Sequence, residues 1–402
     1  MMSEGRTTVP EAAVEAGGKV VVSGTAGGEG SWAPVMALTL GIATLVGSEF
    51  LPASVLPAMA SDIGVSEGTA GLAVAATAVA GALTAPTIGV ALPRTDRRTV
   101  LLWLLALAVV SNMVVALTPN FPLLLVGRLV LGAAIAGFWS FALGAGIRAM
   151  PGRDHVVSTS LALGVSAATI VGVPLSSVLG DAVGWRPVFW AAAGLSVLAL
   201  AAVAATLPPV PAQPGAGLGM LRRVVAGRRL MAGVGCIALV AFGNFAAYPF
   251  IRLAIERVTD GGTVWLLLGW GVGGLAGNLA AGLLAARLRL AVVAAPALLG
   301  ASLLLLVATT NPVVATAGIV VWGVGFNMVP VATQLWVTRA EPRSVESALS
   351  LQVAAFQVAI TAGSAVGGAV VDSSGVRAAM LLGALVALAG SAGFASLRTP
   401  EV

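Results

Sequence analysis

The chain has 402 residues, of which 58% are hydrophobic and only 9% charged, with a formal net charge of +5. A soluble domain carries about 25% charged residues to wet its surface, and disorder needs low hydrophobicity with high net charge. Both are excluded, and a polytopic membrane protein remains. The positive balance fits arginines gathered in cytoplasmic loops rather than a nucleic-acid partner.

Residues 1–31 are rich in Gly, Ala, Glu and Thr, lack the apolar run of a signal peptide, and read as a mobile cytoplasmic tail. Twelve apolar segments follow, each long enough to cross the bilayer core at about 1.5 Å rise per residue. They cover 34–57, 68–92, 99–118, 121–148, 156–181, 187–207, 230–254, 263–287, 289–308, 313–338, 345–371 and 376–397. Pro, Gly or charge marks the breaks, as in Thr118-Pro119-Asn120, Pro151-Gly152-Arg153 and Asn311-Pro312. The expected fold is all-α, with twelve transmembrane helices.

One loop is long. Residues 208–229 open with Pro208, Pro209, Pro211 and Pro214 and close with Arg222-Arg223 and Arg228-Arg229. It follows the sixth span, so the chain divides into a six-helix bundle at 32–207, a cytoplasmic linker at 208–229 and a second six-helix bundle at 230–402. With the N-terminus inside, sixteen of the 21 basic residues lie on the cytoplasmic side, four lie outside, and Arg128 lies within a span. That asymmetry places both termini in the cytoplasm.

An internal repeat supports the division. Arg148-Ala149-Met150-Pro151 recurs as Arg339-Ala340-Glu341-Pro342, and Asp181-Ala182-Val183-Gly184-Trp185-Arg186 recurs as Asp372-Ser373-Ser374-Gly375-Val376-Arg377, both at an offset of 191. Two matches at one offset, each after the equivalent span, describe parallel repeats related by an axis along the membrane normal. Such halves can rock around a central cavity.

The loop Gly89-Val-Ala-Leu-Pro93-Arg94-Thr-Asp96-Arg97-Arg98 lies between spans two and three. It resembles the signature loop of the major facilitator superfamily, G-x-x-x-D-R-x-G-R-R/K. Gly89, Arg94, Arg97 and Arg98 match it; Pro93 stands in place of the usual Asp and Asp96 in place of the usual Gly. Arg128-Leu-Val-Leu-Gly132 on span four resembles the R-x-x-x-G motif of proton-coupled drug exporters. Gly172-Val173-Pro174 on span five is a reduced antiporter Gly-Pro motif. Ser48-Glu49-Phe50-Leu51-Pro52, Gly137-Phe138-Trp139, Tyr248-Pro249-Phe250-Ile251-Arg252, Trp322-Gly323 and Gln352-Val353-Ala354 resemble bacterial purine ribonucleoside exporters. The Glu-Phe-Leu-Pro element also occurs in chloramphenicol and arabinose-type exporters. The resemblance implies proton-driven export of a small molecule across the bacterial inner membrane, with spans one and four lining the cavity, and Gly89, Arg94, Asp96, Arg97, Arg98, Gly172 and Pro174 in the gating elements.

The residues also speak for themselves. An ionisable group inside a membrane costs about 2.5–3.5 kcal/mol on insertion scales and is a functional candidate by default. Glu49 is the one carboxylate well inside a span, roughly 22 Å past Pro34 at helical rise. Arg128 lies roughly 10 Å from the start of its own span on the opposite face. In a core about 30 Å thick the two depths nearly coincide. Burial favours a neutral carboxyl and a nearby cation favours a charged one, so the pair can be poised and switched. Glu49 is the expected proton carrier and Arg128 its partner; the alternative is a static ion pair that fixes two helices.

Asn244, Tyr248 and Arg252 on span seven are spaced i, i+4, i+8 and form one polar stripe. With Trp322, Asn327, Gln352 and Gln357 they are candidate substrate contacts, supplying ring surface and hydrogen-bond groups. The plainer alternative is hydrogen bonding between helices, about 0.6 kcal/mol each in membranes; Arg252 near the outer end can also snorkel. Arg94, Arg97 and Arg98 serve as a topology signal, a cytoplasmic latch between the bundles, or both. His155 reads as a solvated loop residue, and Trp103, Trp185, Trp190 and Trp265 as interfacial anchors. Gly269-Trp-Gly271-Val-Gly273-Gly274 satisfies G-x-G-x-x-G but lies inside a span, so it reads as close helix packing and not as a dinucleotide site.

No Gly-Lys-Ser/Thr phosphate loop is present to drive ATP-powered pumping. No paired catalytic groups point to an intramembrane enzyme. Lone Cys236 supports neither an internal disulfide nor a metal cluster. The expected partners are a small-molecule substrate, protons and the lipid bilayer, with no cofactor or metal, in a monomer.

Overall fold

The computed structural model describes residues 31–211, 227–259, 261–342 and 345–397. The expected tail, except Ser31, and residues 212–226 of the linker lie outside the described residues. Among those described, the regular structure is helical, with twelve helices long and apolar enough to cross a membrane. In chain order these are α1 (Trp32–Ile63), α2 (Glu67–Ala91), α3 (Arg97–Leu117), α4 (Phe121–Ala149), a two-part α5 (Asp154–Ala167 and Val173–Val183) and α6 (Trp185–Thr206). There follow a two-part α7 (Arg228–Ala247 and Ile251–Glu256), α8 (Thr263–Leu283), α9 (Leu288–Ala308), α10 (Pro312–Ala340), α11 (Val345–Ser374) and α12 (Val376–Ser396).

Local chemistry sets the boundaries. Ser31, Ser66, Asp96, Asn120 and Asn311 each accept backbone N–H groups at a helix start, as N-cap residues do. Gly64 ends α1 in the left-handed region at φ 76°, where glycine has no Cβ to clash. α1 therefore runs to Ile63, beyond the expected stop near Pro57, because neighbouring helices can satisfy the groups a proline frees inside a membrane span. His155, expected in a loop, falls in the first turn of α5. Trp185, expected at the interface, is buried and donates its indole N–H to Asp62; Trp103, Trp190 and Trp265 are exposed.

α1–α6 pack together through α2 with α4, α3 with α4 and α6, and α1 with α5 and α6. α7–α12 pack likewise through α8 with α10, α9 with α10 and α12, and α7 with α11 and α12. Two broad seams join these groups, α2 against α11 and α5 against α8, with a smaller contact of α1 on α7. On α8, a Cβ at Gly273 or Gly277 would collide with the Val320 or Val324 carbonyl of α10. The glycines thus allow the close helix approach their four-residue spacing suggests.

The repeat reappears in the hydrogen bonds. Arg98 at the start of α3 donates to Ala204 O in the last turn of α6 at 2.6 Å. Arg289, at the start of α9, donates to Ala395 O in the last turn of α12 at 3.2 Å. Both partners are shifted by 191. Arg186 on Thr118 O and Arg377 on Val307 O form a second related pair, at 3.1 and 2.9 Å. A helix end leaves carbonyls without intrahelical donors and carries a partial negative charge. A guanidinium, with five donors in a fixed plane, satisfies both needs.

Candidate functional site

Two prolines lie inside α1, Pro52 and Pro57. Proline has no N–H, so the Ser48 carbonyl, four residues before Pro52, has no helical donor. Arg128 on α4 supplies one. Its side chain is fully buried. Nη1 donates to Ser48 O at 2.7 Å, Nη2 to Glu49 O at 2.8 Å, and Nε to Ala73 O on α2 at 3.1 Å. One guanidinium thus ties α1, α2 and α4 together. The Ser48 hydroxyl accepts from Asn112 Nδ2 of α3 at 3.0 Å, and the same amide reaches Ser196 Oγ of α6 at 3.4 Å.

Glu49 is half-buried at this break. The ion pairs among the described residues are Arg186–Asp62, Arg252–Asp181 and Arg252–Glu256. The static Glu49–Arg128 ion pair does not form, because the guanidinium is committed to backbone carbonyls. The Glu49 carbonyl is held by Arg128 of α4, and the next residue, Phe50, packs on Tyr248 of α7. The carboxylate is therefore placed between the two halves with its own bonding capacity free.

The span-seven stripe does not form as spaced. Pro249 turns Tyr248–Phe250 into a 3-10 segment, which breaks the helical period between Tyr248 and Arg252. Asn244, Tyr248 and Trp322 have no exposed surface, so they form a packed layer and not an open contact face. Trp322 Nε1 donates to Asn244 Oδ1 at 2.8 Å. Tyr248 packs edge-on against Phe50 of α1, centroids 5.2 Å apart, and lies 5.1 Å from Trp270 of α8. The phenol oxygen, Asn244 Nδ2 and Trp270 Nε1 are buried without a hydrogen-bond partner.

The other candidates divide. Asn327 Nδ2 bonds its own helix at Gly323 O, 3.1 Å away. Gln352 Nε2 bonds Thr333 Oγ1 of α10 at 3.0 Å. Both are nearly buried; Gln352 follows the helix-to-helix alternative, while the Asn327 bond stays within α10. Gln357 is half-buried on α11, against Gly81 of α2 in one seam. The other seam meets the π turn Ala168–Gly172 in α5, where Gly271 of α8 rests on Ile170 and Thr169. Gly172 and Pro174 bracket the end of that turn. Proline again removes a helical donor, and a π turn absorbs the extra residue.

Arg252 belongs elsewhere. It lies at the end of the molecule remote from the chain termini, here called the far end. Nη2 bonds Asp181 Oδ1 of α5 at 2.6 Å, Nη1 bonds Ser54 O of α1 at 3.0 Å and Ser177 Oγ at 3.2 Å, and Nε bonds Glu256 at 2.7 Å. It bridges the two halves, so it is a bridging residue in this conformation and not a free substrate contact.

A family model, Major Facilitator Superfamily, matches residues 38–344. The chain belongs to the major facilitator superfamily. It is 35% identical over 359 residues to the purine ribonucleoside efflux pump NepI of Escherichia coli strain K12, covering 88% of this chain and 90% of that one. The pump of the same name in Shigella flexneri matches at the same identity and coverage. Among solved structures, a bacterial homolog of the human lysosomal transporter Spinster, captured inward-facing and unoccupied, superposes with a TM-score of 0.71 at 14% identity, over 90% of this chain and 95% of that one. The human organic anion transporter MFSD10 gives a TM-score of 0.66 at 18% identity, over 90% and 99%. The protein is thus a transporter and not an enzyme, a multi-pass protein of the bacterial inner membrane.

The superfamily loop has its own geometry here. Gly89 is half-buried with open space where a Cβ would stand, and Arg94 is exposed. Asp96 caps α3, accepting from Arg98 N at 2.9 Å and Thr99 N at 3.3 Å. Arg97 donates to Leu92 O at 2.7 Å and lies 4.5 Å over the Phe141 ring. With Arg98 on Ala204 O, these arginines bond inside the first six helices, so in this conformation Arg97 and Arg98 do not latch one half to the other. Asp96→Ala should cost about 1 kcal/mol, the usual loss for an N-cap, read as a lower unfolding temperature in detergent; an unchanged temperature would exclude the capping role.

The sequence carried signals for residues it did not single out. Ser48 stands four residues before Pro52. Trp270 was passed over inside a glycine-rich decoy. Asn112 gave no signal by itself, because its partners come from α1 and α6.

Proposed function

We propose that this protein is a proton-coupled exporter that exchanges protons for purine ribonucleosides. The observation that carries the coupling is Glu49: a carboxylate within a span, half-buried at a proline break, without an ion pair among the described residues, its carbonyl held by Arg128 of the first half and its neighbour Phe50 packed on Tyr248 of the second. A carboxyl whose acceptors are free can bind and release a proton without first breaking a salt bridge. Arg128 holds the break in shape and responds to the charge.

The substrate class is supported by 34–35% identity over most of the chain to purine ribonucleoside efflux pumps. Phe356 and Gln357 keep some accessible surface and would meet the base and ribose. The tightly packed Tyr248, Trp270 and Trp322 layer backs them.

With the arginine-rich end in the cytoplasm, residues 32–207 and 230–402 act as two units that rock about the site. The far end, bridged by Arg252, is then the outer one. Inside-out vesicles test the reading. Labelled inosine should accumulate only under an imposed proton gradient, with chloramphenicol and arabinose as parallel probes. Accumulation of a parallel probe without inosine would keep the exchange mechanism and replace the substrate. Gradient-independent accumulation would remove the proton from the cycle.

A further inference from the structure

The two repeat-related aspartates, Asp181 and Asp372, end α5 and α11 at the same offset of 191. Each accepts hydrogen bonds from the opposite half. Asp181 takes Arg252 Nη2 of α7 at 2.6 Å. Asp372 Oδ1 takes the Gly68 backbone N–H of α2 at 2.9 Å, and its Oδ2 takes the Ser66 hydroxyl at 2.6 Å. The donors differ in kind. Asp181 meets a side-chain cation. Asp372 meets the first turn of α2, where unsatisfied N–H groups and the positive end of the helix dipole favour an anion.

The surroundings fit contacts that close and open. A Cβ on Gly68 would collide with the Gly368 carbonyl of α11, so the two backbones touch beside Asp372. Phe250 of α7 fills the place where a Cβ on Gly71 of α2 would stand. Both aspartates are exposed to solvent, so their bonds exchange with water at little cost, as surface pairs do. At the opposite end Arg98, Arg289 and Arg339 bond within their own halves, and Arg148 bonds Pro211 O of the linker.

We infer that Asp181 and Asp372 are the positioning residues of a double far-end latch, one arm closing on the Arg252 side chain and the other on the α2 N-terminus, which holds the transporter closed at that end. The inference rests on the rocking-bundle reading above but not on the substrate or the proton. Because the repeat supplies equivalent aspartates and unequal partners, the arms differ in repair. The Arg252 arm is restored by exchanging charges. The α2 arm has no charged partner to exchange, since it takes the Gly68 N–H and the Ser66 hydroxyl.

The test is a distance measurement between spin labels at Ser61→Cys and Thr310→Cys, on a Cys236→Ala background, in lipid nanodiscs without substrate or gradient. The parent should give a dominant short far-end distance. Asp181→Asn with Asp372→Asn should raise the open-to-closed ratio about tenfold, since two weak surface arms are lost together. Asp181→Arg alone should open the far end and Arg252→Asp added to it should close it again, while Asp372→Arg should stay open when Arg252→Asp is added. Unchanged distances in the double Asn variant, or no reclosure in the charge exchange, would overturn the latch. If the double Asn variant does not fold, the charge exchange decides alone. Failure of the vesicle flux experiment leaves this measurement intact.

Discussion

Arg128→Ala should destabilise the protein by about 3 kcal/mol and abolish transport. Removing the side chain leaves the Ser48 carbonyl buried with no donor, at a cost of about 1–3 kcal/mol. It also strips a second bond from Glu49 O and Ala73 O and opens a void where a fully buried side chain stood. Arg128→Lys should recover only part, because an ammonium offers no planar fork for three carbonyls on two helices. The cause can be isolated. Pro52→Ala gives Ser48 O a helical donor of its own, so Arg128→Ala with Pro52→Ala should lose about 1 kcal/mol less than the two changes summed. Thermal unfolding of the four variants in detergent measures this. Strict additivity would mean that Arg128 is not there to serve the proline break.

Glu49→Gln is expected to leave a folded protein that no longer accumulates substrate against a gradient. A gradient of one pH unit supplies about 1.4 kcal/mol per proton, enough for about tenfold accumulation in one-for-one exchange. The glutamine variant should fall to about onefold. Its fold should survive, because the carboxylate takes no part in the Arg128 bonds, which use the backbone of Ser48 and Glu49 and not the Glu49 side chain. Exchange of labelled for unlabelled substrate, with no gradient, should persist. Tenfold accumulation by the glutamine variant would remove Glu49 from proton coupling. Loss of both accumulation and exchange would make it a structural residue.

Positions in the sequence differ in what they disclose. Glu49 and Arg128 stand out from the chain alone because charge is rare in hydrocarbon. Their relation does not. Spacing along two helices puts them at one depth, and only packing shows that the guanidinium turns to carbonyls freed by a proline. Tyr248 and Arg252 fall on one stripe if the helix continues. Pro249 breaks it, sending one inward to the aromatic layer and the other to the far end. Asp96 departs from the family loop, which has Gly there, and the first turn of α3 claims its carboxylate.

Composition, apolar run length, arginine bias and the offset of 191 are each properties of local sequence. They determine twelve spans, and they lead to an expected six-plus-six division and orientation, since a membrane imposes one rule on every span in turn. The tertiary structure alone decided which polar groups are spent on other helices and which remain free. That choice depends on donors and acceptors from distant segments meeting at one point, with backbone carbonyls, which carry no sequence signature, among the partners.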